Sequence, residues 1–300
     1  MDYQRIMGVE KLAESSNGGI GTRIAILDSG MPKPSLYGWP INGRRDDIDR
    51  FGHATAISSI LFGGWGIKGV CERATPYYYT VLDASGNGSI RSVSDGVLRA
   101  IDDDADIINL SLGFARTEKC PRALEKACEE AYTRGKPIIC AAGNDGGPVN
   151  WPAALKTTIS VGSSGKNGLK TAFSSVGEVD FVAPGTNLSV LCTDGRVKTV
   201  NGTSFSAALV TGVAALLAAR RMFCSHDGSQ VEFMRRSLAD LAQDVDEPGW
   251  DVNTGYGLIG KNIDSTVCMK IEPGFFGKII SKIQSLVGFG KTKEKNDGRV

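Results

Sequence analysis

The sequence is poor in histidine, has no CxxC pair and carries almost no net charge. Only two of its 300 residues are histidine, and its seven cysteines are scattered. A zinc site needs clustered ligands, so this composition argues against a metal centre. The formal net charge is +1, so no overall field attracts nucleic acid, and we expect no nucleic-acid partner.

Signals for export and for membrane insertion are also missing. The first twelve residues, MDYQRIMGVEKL, lack the basic segment followed by an apolar run that marks a secretory signal. The uncharged stretch from 201 to 219 is rich in small and hydroxylated residues, which makes it too polar for a membrane span. Unpaired cysteines are typical of reduced thiols. The sequence therefore predicts a cytoplasmic protein, although a secreted form without its signal would also fit.

Short β-rich runs alternate with helical patterns along the chain. Several of the runs are apolar without alternation, as expected for strands that are covered on both faces. This order predicts an α/β fold with a mostly parallel central sheet flanked by helices. A hairpin is predicted over 190–200, with Asp194-Gly195 as its turn. The predicted strands are 23–27, 77–81, 106–110, 137–140 and 158–161, and the predicted helices are 53–62, 92–102 and 121–134.

Two residues in the first quarter of the chain are candidates for acid–base chemistry. Asp28 ends a predicted strand, and the carboxyl ends of parallel strands are where α/β folds build their sites. His53 follows Gly52 at the start of a predicted helix, whereas His226 lies in a polar segment. Taken singly, Asp28 could be a turn residue and His53 a structural one.

Two later residues are candidates for oxyanion binding and nucleophilic attack. Asn144 lies among glycines directly after a predicted buried strand, and glycines allow backbone shapes that would aim its amide into a cleft. Ser204 stands at the start of a long Ala-rich helix, where the helix dipole favours a developing oxyanion. The alternatives are a plain Gly/Asn turn and an N-cap serine.

Together the four segments resemble the subtilase family of serine proteases. The order Asp, His, Ser is that of the subtilisins and differs from those of chymotrypsin and the α/β-hydrolases. The resemblance covers about residues 5–265 and implies a subtilisin-like three-layer fold. We therefore expect a catalytic domain over 1–269 and a separate tail over 270–300. The matching motifs are Asp28-Ser29-Gly30, His53-Ala54-Thr55, Ala142-Gly143-Asn144 and Gly202-Thr203-Ser204.

The resemblance implies a serine endopeptidase acting on polypeptides. Ser204 would attack the peptide carbonyl, His53 would take its proton, and Asp28 would hold the imidazole. Asn144 and the Ser204 N–H would bind the oxyanion. The same catalytic group could serve an esterase or a peptide ligase. A different class of function is a catalytically inactive interaction module on the same fold, which would not react with a fluorophosphonate.

Substrate binding is also implied by the resemblance. Ser111-Leu112-Gly113 and Gly86-Asn87-Gly88 match segments that pair with the substrate backbone on its two sides. Asn150 stands where the family usually has a glycine at the floor of the P1 pocket. This position predicts a weaker preference for large aromatic P1 residues.

The chain departs from the family in the loop that usually binds calcium and at its amino end. The loop over 62–70 is short and contains no carboxylate, so the family's high-affinity calcium site is not expected. We expect no required cofactor, while calcium elsewhere stays open. Only residues 1–22 precede the first predicted strand, too few for the folding and inhibitory propeptide of the secreted members, so we expect either a mature form or an intracellular protein that folds unaided.

The tail differs in composition from the rest of the chain. Residues 270–300 contain seven basic and three acidic residues. The apolar residues at 275, 276, 279, 280, 283, 286 and 287 share one face of a helix. Such a helix could pack on the body, bind a membrane surface or act as a removable inhibitor.

Overall fold

Six apolar segments form one parallel sheet in the computed structural model, which describes residues 1–36, 46–116, 118–220 and 227–260. The strand order is β2-β1-β3-β4-β5-β6, and every neighbouring pair is parallel. The predicted tail and the predicted boundary at 269 lie outside the described residues. The strands are β1 Arg23–Asp28, β2 Thr75–Thr80, β3 Ile107–Leu110, β4 Ile138–Ala141, β5 Ile159–Ser164 and β6 Phe181–Pro184.

Helices cover both faces of this sheet, which explains why the strands are apolar on both sides. Ala25, Leu27 and Cys140 pack with α4 and α5 in one core. On the other face, Thr211 of α6 donates a hydrogen bond to Asn109 of β3. The helices are α1 Tyr3–Met7, α2 Glu10–Ser15, α3 His53–Phe62, α4 Ile90–Asp102, α5 Arg122–Thr133, α6 Thr203–Ala219 and α7 Gly228–Ala239.

The described elements confirm most of the sequence-based prediction. The predicted hairpin is present as antiparallel strands β7 Leu188–Leu191 and β8 Val197–Val200. The predicted helix over 53–62 has the same bounds in the structure, while α5 begins one residue after Pro121, which is its N-cap. The sequence analysis missed β6 and the helices α1, α2 and α7.

The cysteines of the described residues are free thiols, as predicted. Cys71, Cys128 and Cys140 are buried, and Cys120 and Cys192 are partly buried. Burial raises the pKa of the Cys140 thiol well above its ordinary value, so this side chain packs as a small apolar residue. Within the described part of the chain, no helix has both the length and the apolar character needed to cross a bilayer.

Three strands end on the same side of the sheet and bring distant segments together. Asp28 is the last residue of β1, Ser111 directly follows β3, and the loop with Asn144 begins after β4. Because the strands are parallel, their carboxyl ends share one edge. This edge carries the candidate site.

Candidate active site

Asp28 and His53 form a buried hydrogen-bonded pair at this edge. His53 Nδ1 lies 2.9 and 2.8 Å from the two carboxylate oxygens of Asp28. The Asp28 side chain is fully buried, and the imidazole is 19% exposed. Asp28 also accepts from the N–H of Ser29, whose hydroxyl in turn accepts from Ala54 N in the first turn of α3. The strand end and the helix start are therefore joined at this pair.

The charge of this pair sets the protonation of His53. Burial of the ring disfavours the imidazolium, but the negative charge of Asp28 and its hydrogen bond outweigh this effect. The pKa of His53 is therefore raised above its ordinary value. The aromatic ring of Phe205 lies 5.8 Å from the imidazole, centroid to centroid, and is tilted by 48° to it.

Ser204 lies inside the first turn of α6 and is not its N-cap. The cap position is Gly202, and α6 begins at Thr203. The alternative role of Ser204 as an N-cap serine is therefore wrong. Because the first N–H groups of a helix have no partner within the helix, the Ser204 N–H is available at the positive end of the dipole.

The hydroxyl of Ser204 points at the backbone after β3. It donates to the carbonyl of Ser111 at 2.9 Å, and the Ser111 hydroxyl donates back to the Ser204 carbonyl at 2.8 Å. Among the described residues, the Ser204 hydroxyl is thus hydrogen-bonded to Ser111 and not to His53. The contact of Asp28 with His53 agrees with the expected arrangement, whereas the hydrogen bond between His53 and Ser204 is not formed in this state.

Asn144 is fixed by the residue before Ser204. Its side-chain oxygen accepts from Thr203 N at 2.9 Å and from the Thr203 hydroxyl at 3.1 Å. Because a backbone N–H can only donate, this contact assigns the oxygen and leaves the amide nitrogen on the other side. Asn144 is therefore more than a turn residue, since its amide orientation is set by α6.

A cleft of about 550 Å³ contains the candidate residues. His53, Asn144 and Ser204 line it, while Asp28 lies buried behind His53. Both segments that were expected to pair with substrate line it as well, as does Asn150. No backbone hydrogen bond occupies Leu112 or Gly113 within the described residues, so this edge can accept an added strand.

Asn150 lies in a narrow gap between two glycines of the cleft. A Cβ atom added at Gly113 would lie 3.2 Å from Asn150 Cβ, and one at Gly143 would lie 2.7 Å from its amide nitrogen. Gly143 also has φ of +123°, which side-chain-bearing residues rarely adopt. The side chain of Asn150 thus occupies space that a glycine would leave empty.

Comparison with known proteins agrees with this geometry. The model of the subtilase family matches residues 19–257. The chain belongs to the subtilase family. Its sheet and flanking helices are those of the subtilisin-like three-layer fold that the resemblance predicted.

Relatives of this subtilase include named bacterial proteases. The minor extracellular protease Epr of Bacillus subtilis (strain 168) is 32% identical over 262 residues, which is 83% of this chain and 39% of Epr. Thermitase of Thermoactinomyces vulgaris is 32% identical over 229 residues, 71% of this chain and 81% of thermitase. The chain spans 60% of a thermostable alkaline protease from Halalkalibacterium halodurans. It is thus shorter than several of these relatives.

Solved structures show the same architecture. A lanthipeptide protease superposes with a TM-score of 0.73 at 23% identity, over 89% of this chain and 93% of that one. The prenylagaramide maturation protease PagA gives 0.72 at 27% identity, over 85% of this chain and 96% of its own. The name of Epr places that relative outside the cell, so the cytoplasmic location of this subtilase stays a prediction.

The subtilase site also contains residues that sequence reasoning did not single out. Thr203 links the Asn144 loop to α6, since its hydroxyl accepts from Gly143 N and donates to Asn144. Phe205 packs beside His53. In the described ranges, no group of three or more His, Cys, Asp or Glu side chains could hold a metal ion.

Proposed function

We propose that this subtilase is a serine endopeptidase with Asp28, His53 and Ser204 as its triad. The observation that carries the proposal is one cleft lined by His53, Ser204 and Asn144, with a buried carboxylate behind the histidine. The named relatives are proteases, which supports the same chemistry.

The hydrogen bond to Asp28 decides which nitrogen of His53 acts as the base. Since Nδ1 is held by the carboxylate, the neutral ring carries its lone pair on Nε2. Ser204 would turn its hydroxyl from the Ser111 carbonyl to Nε2 when a peptide enters. Catalytic hydrogen bonds often tighten only in the substrate complex, so the resting contact is compatible with this step.

The reaction then follows the acyl-enzyme route. Ser204 Oγ would bond to the peptide carbonyl carbon while its proton passes to His53, and the imidazolium would return that proton to the leaving amine. Water, deprotonated by the same histidine, would release the acyl group. The Asn144 amide nitrogen, left free of the Thr203 contact, and the Ser204 N–H at the start of α6 would both donate to the oxyanion.

The test is substitution of Ser204 with a matched serine as control. Ser204→Ala should abolish fluorophosphonate labelling and lower kcat on casein-derived peptides by about 10⁶-fold. Ser206→Ala removes a hydroxyl from the same helix that donates to Ala183 and Pro184, so it should keep labelling and activity.

The alternatives give different results. An interaction module would show no labelling of the unmodified chain. An esterase would be labelled but would cleave ester substrates and not peptides. Retained activity in Ser204→Ala would contradict the triad.

A further inference from the structure

A second buried carboxylate, Asp49, lies between the end of β1 and the start of α3. Its side chain belongs to a residue that is only 2% exposed. One oxygen, Oδ1, accepts from the Ser29 hydroxyl at 2.8 Å, from Phe51 N at 3.1 Å and from Gly52 N at 2.7 Å. These donors lie on both sides of the junction that holds Asp28 and His53.

The other oxygen of Asp49 caps the helix that begins with His53. Oδ2 accepts from Thr55 N at 2.8 Å and from the Thr55 hydroxyl at 2.6 Å. Gly52, at the N-cap position, has no side chain for this purpose. Asp49 therefore supplies the acceptor that the first turn of α3 needs, and places negative charge at the positive end of its dipole.

The segment with Asp49 is itself tied to the strand that carries Asp28. Met31 N donates to Asp47 O at 2.6 Å, and Asp49 N donates to Met31 O at 2.8 Å. This approach needs Gly30, because a Cβ atom there would lie 2.6 Å from Asp47 O, and its φ is +130°. Asp49 is thus held against the end of β1 by backbone contacts that do not involve His53.

We propose that Asp49 is a positioning residue for His53, fixing the first turn of α3 against Asp28 and presenting a second negative charge to the imidazole. The proposal rests on the proposed triad. Three backbone N–H groups donate to the Asp49 side chain, two of them to Oδ1 and one to Oδ2, so both oxygens must act as acceptors. A carboxylate has two acceptor oxygens and a carboxamide only one, so only a carboxylate fits this place.

The charged groups that face His53 come from three elements. Asp28 on β1 and Asp49 before α3 favour the imidazolium, while Lys198 on β8 opposes it. Asp49 would therefore support the positive ring that forms when Ser204 loses its proton. Its loss should change the titration of His53, which a purely structural residue would not do.

The test is a histidine titration that does not depend on peptidase activity. The chain has only two histidines, so their NMR resonances can be assigned with one His226→Gln variant. In a Ser204→Ala background, Asp49→Asn should lower the midpoint of the His53 titration by at least about half a pH unit. In the active chain, Asp49→Asn should lower kcat at least about tenfold with little change in KM.

Asp46→Asn is the matched control on the same segment. Asp46 accepts from Thr80 N at 3.1 Å and pairs with Arg99 at 3.4 Å, away from the start of α3. It should leave both the titration and kcat unchanged. Identical midpoints for Asp49→Asn and Asp46→Asn would overturn the proposal.

A charge-preserving variant covers a failure of Asp49→Asn to fold. Asp49→Glu keeps the charge but displaces it, so we expect an almost unchanged midpoint with a reduced kcat. A native kcat in Asp49→Glu, or failure of both Asp49 variants to fold while Asp46→Asn folds, would leave Asp49 as a structural residue only. An active Ser204→Ala would instead refute the triad, and the His53 titration would still report on Asp49.

Discussion

Substitution of Asn150 is the most direct test of substrate specificity, because Asn150→Gly restores the residue that is usual in the family. The side chain of Asn150 fills the gap between Gly113 and Gly143, and the variant Asn150→Gly would empty it. We expect the native chain to accept large aromatic P1 side chains poorly and the variant to accept them better. The measured quantity is the ratio of kcat/KM for two peptides that differ only in Phe or Ala at P1.

The size of the effect follows from buried area. A Phe side chain can bury about 150–250 Å². If Asn150 excludes about a third of it, the variant gains about 50–80 Å², which at about 25 cal/mol per Å² is about 1.3–2 kcal/mol. The Phe-to-Ala ratio should therefore rise about tenfold to thirtyfold.

The control is Asn187→Gly, at an exposed position outside the cleft. Asn187 has φ of +54°, which glycine adopts readily, so this variant should fold and leave the ratio unchanged. Asn150→Gly can lose about 1 kcal/mol of stability through chain entropy, so both variants are compared well below their melting temperatures. An unchanged or lower ratio in Asn150→Gly would refute the assignment of the P1 pocket.

Two further predictions concern the chemistry of the cleft. Asn144→Ala should lower kcat about 10²–10³-fold with a nearly unchanged KM, since its amide is proposed to act on the oxyanion, and an unaltered kcat would contradict this role. If His53 is the base, it acts only when neutral, and because its pKa is raised, kcat/KM should fall as the pH drops through a value above the ordinary histidine pKa of about 6.5. A pH profile that stays flat down to about pH 6 would contradict that role for His53.

Short motifs made the candidate site predictable from sequence. Asp28 ends β1, His53 and Asn144 lie beside glycines, and Ser204 lies in the first turn of α6, so local patterns placed all four near one sheet edge. The orientation of the Ser204 hydroxyl was not predictable, because its partner is a carbonyl 93 residues away in the chain. Contacts of that kind depend on packing between α6 and the end of β3.

Asp49 shows what local patterns could still have revealed. Asp49 lies four residues before His53, and an acidic residue close to a predicted helix start favours a contact with the first turn. The contact between Asp49 Oδ1 and the Ser29 hydroxyl joins segments 20 residues apart and could not be predicted without the tertiary structure. The strand β6 was missed for a different reason, because its four residues Phe181–Pro184 end in proline and show too little pattern.

The loop after α3 supports a final prediction, that chelation scarcely affects stability. Gly64 and Ile67 exchange backbone hydrogen bonds of 2.9 Å, and the carbonyls of Ile60 and Leu61 accept from Val70 N and Cys71 N. With these oxygens already bonded and no carboxylate in the loop, a hard cation would find few ligands there. EDTA should therefore shift the melting temperature by less than about 1 °C.

If a bound calcium ion does stabilise the fold, its removal should lower the melting temperature by an amount that can be calculated. A calcium ion present at about 100 times its Kd would stabilise the fold by about 2.7 kcal/mol. In a domain of this length, about 1 kcal/mol moves the melting temperature by about 2–4 °C, so removal of such an ion would lower it by roughly 5–10 °C. A drop of that size, reversed by calcium and not by magnesium, would show a calcium site and contradict this prediction.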